Sequence, residues 1–214
     1  MKKFLIILSL IIFSSLSAKA DYIPISINSI QHYGIGVMRL NRIVNIYKDK
    51  DENSEIIQKI YWDNAQNFNN KLKKSEEKTF VAFFPKNDFA FLSVEDEQED
   101  WYLVCFDQEN KSFGWVKQGE SAKFYTWQDF IMKFGQKKGI YYFEEIKDKF
   151  LYAKPDENSQ IVDEWKYAKF IQPWYINGNW MIVKVLDYDN NQKTGYMRWR
   201  TDDGKLLIFA KLRY

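Results

Sequence analysis

Short alternations of apolar and polar positions dominate the chain and predict strands. From Trp101 to Phe106, Tyr102, Val104 and Phe106 fall on one face, and Trp101, Leu103 and Cys105 on the other. Further on, Met181, Val183 and Val185 share a wholly apolar face, whereas Trp180 and Ile182 share theirs with Lys184. The second pattern decides which face is core and puts Trp101 and Trp180 on the outer sides of their sheets. Asp107 to Phe113 and Asp187 to Thr194 then read as hairpin loops, and Asp203-Gly204 as a tight turn before a last strand from Leu206 to Phe209. One stretch has helical spacing instead. Trp127, Phe130, Ile131 and Phe134 form an i, i+3, i+4, i+7 stripe, Thr126 and Asp129 stand at capping-box spacing, and Gly135 is expected to end the helix. Its apolar stripe is expected to face a core.

The strands occur in two similar sets. Tyr47-Lys48-Asp49-Lys50-Asp51-Glu52-Asn53-Ser54-Glu55-Ile56-Ile57 returns as Tyr152-Ala153-Lys154-Pro155-Asp156-Glu157-Asn158-Ser159-Gln160-Ile161-Val162. Trp101-Tyr102-Leu103-Val104 returns as Trp180-Met181-Ile182-Val183, Gly114-Trp115-Val116 as Gly195-Tyr196-Met197, and Gly34-Ile35 as Gly139-Ile140. Two supersecondary units of one kind follow from this self-similarity. The spacings differ, so the first copy carries an insertion between Ile57 and Trp101. It is expected around the polar stretch Asn67 to Lys78 and, with Phe80 to Phe84 after it, reads as an extended hairpin arm or long loop at the surface. The boundary between copies is placed near residue 138, within Gly135-Gln136-Lys137-Lys138-Gly139.

The two copies resemble the bacterial SH3 domain family. Its members show a strand, a Ser- or Asn-bearing turn, a second strand, Gly-Trp-Tyr-x-Val and Gly-Trp-Val. The matching positions are Asn53-Ser54, Ile56-Ile57, Asp100 to Val104 and Gly114-Trp115-Val116. In the second copy they are Asn158-Ser159, Ile161-Val162, Asn179 to Val183 and Gly195-Tyr196-Met197. The family's Arg after the first strand is missing from both copies, which read Val44-Asn45-Ile46-Tyr47 and Phe150-Leu151-Tyr152. The resemblance implies an all-β, mainly β fold: two SH3-like small β-barrels in tandem, with a short helix between them and an insertion in the first. It also implies a tether to cell-wall peptidoglycan or another envelope partner. The expected division is a signal peptide over 1–20, a lead-in segment over 21–33, a first domain over 34–138 that includes the insertion and helix, and a second over 139–214.

Export follows from the first residues. Lys2 and Lys3 form a positive n-region, Phe4 to Phe13 an apolar h-region, and Ala18-Lys19-Ala20 an A-x-A cleavage site before Asp21. The apolar run falls short of the roughly 20 residues that span a bilayer, so no stable membrane insertion is expected after cleavage. A periplasmic or secreted destination is expected. Without Lys2, Lys3 and Lys19 the 31 basic and 29 acidic residues nearly balance. No clustered basic excess suggests a nucleic-acid partner. A single cysteine rules out an intramolecular disulfide, so burial must carry stability, and 17 Phe, 14 Tyr and 8 Trp can supply it.

Candidate chemistry is sparse. Cys105 and His32 are the one possible nucleophile and base pair, but Cys105 sits inside a strand and its counterpart is Lys184, so a structural thiol is the simpler assignment. One His and one Cys cannot supply a zinc site. Asp187-x-Asp189-x-Asn191 starts like a calcium loop, but Gln192 stands where Gly is needed and Arg198 where the bidentate Glu belongs, which leaves a polar hairpin loop. No catalytic residue, metal or cofactor is expected, though a hydrolytic pair hidden among the 29 acids is the least favoured alternative. Exposed aromatics are left as the candidate ligand site: Tyr152, Trp174, Trp180, Tyr47 and Trp101. Trp199 is extra to the repeat, and Trp115 and Tyr196 are assigned to barrel closure. The expected function is a non-enzymatic exported binding module contacting peptidoglycan, cell-wall glycan or an envelope protein. A structural or assembly protein of the envelope is the alternative, with the barrels and the insertion making protein contacts.

Overall fold

The computed structural model describes residues 30, 33–41, 43–61, 78–84 and 87–212. The signal peptide, most of the lead-in, His32 and most of the insertion lie outside the described residues. The first copy contains β1 (Gly36–Asn41), β2 (Ile43–Tyr47), β3 (Ile56–Tyr61), β4 (Ala82–Phe84), β5 (Phe89–Gln98), β6 (Trp101–Asp107), β7 (Ser112–Lys117) and β8 (Ala122–Thr126). A helical segment follows, and then β9 (Ile140–Tyr142), β10 (Phe150–Tyr152), β11 (Ile161–Glu164), β12 (Phe170–Asn177), β13 (Trp180–Leu186), β14 (Gln192–Arg198) and β15 (Ile208–Ala210). The chain is mainly β, as the alternation predicts.

Strand pairing repeats with the sequence. The first sheet runs β3-β2-β7-β6-β5-β1-β8, with β4 also on β5, and the second runs β11-β10-β14-β13-β12. Strands β3-β2-β7-β6-β5 and β11-β10-β14-β13-β12 correspond one to one, and the separate β15-β9 ribbon takes the place of β8-β1. Among the described residues all pairs are antiparallel, and no ladder crosses residue 138. Among the described residues neither sheet closes on itself through hydrogen bonds. In the second copy β12, at the opposite end of the strand order from β11, packs near the helical segment and β9.

The repeated turn is held by one network in both copies. Asp51 Oδ1 accepts from the backbone and side-chain amides of Asn53 at 2.9 and 3.1 Å, and Asp156 Oδ1 accepts from those of Asn158 at 2.9 and 3.2 Å. The backbone amides of Ser54 and Ser159 close the turns on Asp51 O and Asp156 O, at 2.9 and 3.0 Å. Each Ser Oγ also accepts from the chain entering the turn, from Asp49 N at 3.1 Å and Lys154 N at 3.2 Å. The Asp-x-Asn-Ser signature is thus turn chemistry. The repeated glycine has a packing reason. A Cβ on Gly114 would lie 2.4 Å from Ile46 Cγ2, and one on Gly195 would lie 2.9 Å from Leu151 Cβ. Gly195→Ala should therefore destabilise the chain by about 1–3 kcal/mol through overpacking, measured by denaturant unfolding. An unchanged midpoint would contradict the close approach.

Two apolar clusters organise the interior. Met38, Leu40, Ala90, Leu92, Val94, Tyr102 and Val104 belong to a cluster within the first copy. The larger cluster joins Val37, Phe84, Phe89, Phe91, Trp127 and Phe130 to Leu151, Met181, Val183, Val185, Met197 and Phe209 of the second. Strands β1, β4 and β5 form a wall between them, with alternate residues facing each cluster. This explains why residues 89–94, FAFLSV, are buried throughout: a strand covered on both faces has no polar side to show.

The same wall corrects the expected surface arm. Phe80, Val81, Ala82, Phe83 and Phe84 are buried, and β4 pairs with β5. A continuous apolar run can satisfy both faces of a wall strand, and solvent would leave it uncompensated. The helix differs as well. Thr126 caps it as predicted, accepting from Asp129 N at 3.1 Å and donating to Asp129 Oδ2 at 2.8 Å. The α-turn Trp127–Phe130 then passes into a π-helix, Ile131–Gly135, and a last turn, Gln136–Lys138. Gly135 does not end it. A Cβ there would meet Pro173 Cγ at 2.9 Å, so close packing on β12 requires this glycine, and Gly139 at φ +82° ends the helix instead.

Candidate functional site

Alternation places Tyr102, Val104, Met181 and Val183 in the cores, so Trp101 and Trp180 lie on the opposite faces of their sheets; Trp101 and Tyr152 are nevertheless buried there by their neighbours, at 7% and 9% exposure, and are not the exposed rings expected. Directly paired residues share a face of a sheet. On the outer face of the second sheet, Tyr152 stands opposite Tyr196, Tyr196 opposite Ile182, and Ile182 opposite Tyr175. One row thus crosses four strands. A second row holds Arg198, Trp180 and Asn177, and a third holds Thr194, Lys184 and Gln172. Trp174 occupies the bulge between Pro173 and Tyr175, is 55% exposed, and carries the Lys184 ammonium 3.6 Å above its ring. Tyr175 is 58% exposed.

Trp180 is fixed by its neighbours. Tyr152 meets it edge to face at 5.6 Å and 88°, and the Arg198 guanidinium lies 5.1 Å from its ring centre. Arg198 is in turn ion-paired to Glu157 of the repeated turn, Nε to Oε1 at 2.6 Å, and to Asp202, Nη1 to Oδ1 at 2.8 Å. Asp202 also accepts from Asn179 Nδ2 at 2.9 Å, and together Arg198 and Asn179 hold its carboxyl below the usual range. The first copy repeats the unit. Tyr47 meets Trp101 at 5.6 Å and 85°, and Lys117 lies 5.9 Å from the Trp101 ring centre and 3.0 Å from Glu52.

The structure therefore brings Tyr152 to Trp180 and Tyr47 to Trp101, as two separate pairs, and puts Trp174 on the same face as Trp180 beside Lys184. The two outer faces have diverged. Trp101 is 7% exposed, Lys50 lies over Trp115 at 5.4 Å and also hydrogen-bonds to Gln98, and Asp96 occupies the place of Tyr175. Pairing also corrects the role of Trp115 and Tyr196, which lie in the outer rows. The core positions beside them are Val116 and Met197. Trp199 is fully buried and donates its indole N–H to Gly178 O at 2.8 Å. It continues the inward alternation of Gly195 and Met197.

A crevice opens beside each pair. The second, of about 390 Å³, is walled by Tyr142, Phe150 and Tyr152, with Glu145, Lys147, Asp148, Glu157, Arg198 and Asp202 among its lining. The first, about 300 Å³, has Tyr47, Glu52 and Lys117 at the matching positions and no other aromatic ring. Lys117, Arg198, Glu52, Glu157 and Asp148 were not singled out from sequence. The signal for four of them was present, because the repeated turn contains both Glu residues and a cation follows each Gly-aromatic-apolar triplet.

Burial, reinforced by the Tyr152, Asp148 and Glu157 charges, raises the Tyr142 phenol above its ordinary value, although Arg198 opposes it. Tyr142 donates to Arg198 O at 2.8 Å. Burial followed by Asp148 and Glu157 raises Tyr152 too. Elsewhere burial pushes Tyr33 and Tyr102 up to about 12, helped by Asp203 in the first case and Glu97 in the second. A phenol raised on folding contributes stability that is fully present below its unfolded value near 10 and is lost as pH rises toward about 12. Unfolding midpoints should fall over that window together with the rise of phenolate absorbance. Complete ionisation near pH 11 without loss of stability would contradict this.

Burial also lifts the Cys105 thiol to about 11, which keeps it protonated at neutral pH. The Asp187 carboxylate is used within its own loop. It accepts from Asn191 N and Nδ2 at 2.8 and 3.0 Å and from Asp189 N at 2.9 Å. Among the described residues no group of three or more His, Cys, Asp or Glu could hold a metal ion, and no helix is long and apolar enough to cross a membrane. Comparison with known proteins finds no matching family model and no matching curated protein.

Proposed function

We propose that the chain is an exported, non-enzymatic binding module of the bacterial cell envelope, built from two SH3-like units and contacting peptidoglycan or another cell-wall glycan. The observation that carries this reading is the outer face of the second sheet. Its Tyr196–Ile182–Tyr175 row, backed at one end by the buried Tyr152 and flanked by Trp180 and Trp174, sets large rings on hydrogen-bonded strands. Such rings lose little conformational freedom on binding and offer flat apolar area edged by polar tips, which suits sugar rings and extended peptides. Ion pairs on Arg198 and the edge contact with Tyr152 hold Trp180 in place before any ligand arrives.

A second reading, a structural or assembly protein of the envelope, is favoured by the sheet ends. Among the described residues strands β3 and β11 each pair on one side only, and Ile56, Ile57, Ile161 and Val162 on them are exposed. Such edges can accept a strand from a protein partner. Sedimentation with protein-free cell wall separates the two. The binding-module reading expects the chain in the pellet, and a chain that stays in solution yet binds a deproteinised wall only after envelope proteins are restored supports assembly.

A further inference from the structure

Resting on the binding-module reading, we infer that the crevice beside Tyr152 receives the ammonium end of an aliphatic amine, a lysine-like side chain on the bound partner. Besides Glu145, which has contacts of its own, the lining carries three carboxylates, Asp148, Glu157 and Asp202, against Lys147 and Arg198. Arg198 already engages two of those carboxylates. An incoming anion would have to displace an existing ion pair, whereas a cation meets a site with negative charge in excess. Burial is the main cause that raises the Tyr142 and Tyr152 phenols, and Asp148 and Glu157 add to it while Arg198 opposes it.

The walls select the kind of cation. Tyr142, Phe150 and Tyr152 offer ring surface to a methylene stem and to an ammonium. A metal ion would instead need converging oxygen ligands, and among the described residues no such group is present. At about 390 Å³ the crevice has room for a side chain. The crevice of the first copy is an internal control, since it keeps the Tyr–Glu–cation unit but lacks the other two rings.

The test is an amide-resolved NMR titration of the protein with Nα-acetyl-lysine amide and with the same compound acetylated at Nε. The lysine probe should give saturable shifts at Asp148, Tyr152 and Arg198, and the Nε-acetylated probe should give none there. Asp148→Asn should weaken the lysine probe roughly tenfold, and Glu120→Gln in the first crevice should leave it unchanged. Equal shifts from both probes, shifts centred on Tyr47, or full affinity in Asp148→Asn would each overturn the inference. Sedimentation with cell wall distinguishes this failure from failure of the parent reading. A protein that binds wall but ignores the lysine probe loses the amine site and keeps its proposed function.

Discussion

Phe91→Ala should cost about 3–5 kcal/mol and leave both sheets unfolding in a single transition. Phe91 is fully buried on the wall strand β5, and its ring meets Phe89 at 5.7 Å, Phe130 at 5.2 Å and Phe134 at 6.0 Å. It belongs to the cluster that includes Met181, Val183 and Val185 of the second sheet. A cavity at this position removes contacts from both copies at once. Hydrogen exchange at β7 and β13 amides under increasing denaturant would check the coupling. If β7 keeps its protection while β13 loses it, the shared core is energetically divisible and the expectation is wrong.

Trp180→Ala should weaken cell-wall binding by about 2 kcal/mol, roughly thirtyfold, without unfolding the chain. Trp180 lies outside the cores and is held between Tyr152 and Arg198, so removing it empties the centre of the outer face while Met181 and Val183 stay packed. Trp101→Ala should bind as the parent does, because Trp101 is already covered. Quantitative sedimentation with purified wall, alongside far-ultraviolet circular dichroism for the fold, gives both numbers. A folded Trp180→Ala chain with parental affinity, together with a weakened Trp101→Ala chain, would move the working face to the first copy.

The repeated strands and turns of both copies were legible because their signals are local. Asp-x-Asn-Ser fixes a turn by bonds within a few residues, and alternation fixes which face is buried. What failed depended on partners distant in sequence. Phe80 to Phe84 read as surface because the polar stretch before them is, yet the hairpin they form with the next strand, β5, is covered by second-copy residues such as Met181, Val183 and Phe209. Gly135 looked like a helix end because Pro173 opposite it could not be known. Trp199 was readable and was missed, since the inward alternation from Gly195 through Met197 reaches it directly. Of the site, the Tyr–Trp pairs were legible as types but not as pairs. Asp148 carries no local signal, because it enters the crevice only through the path of the segment after β9.

The wall of β1, β4 and β5 also imposes an order of events on the growing chain. Its last flanking strand, β8, ends at Thr126, so the inner cluster of the first copy can form before any second-copy strand exists. The opposite side of the wall, with Phe84, Phe89 and Phe91, then waits uncovered for strands that lie up to Ala210. A chain interrupted near the end of the helix would fold far enough to display that apolar side and have nothing of its own to lay on it. Such a fragment is a template for the wrong neighbour, and prompt folding of the second copy, or a chaperone in its place, becomes a condition of safe synthesis.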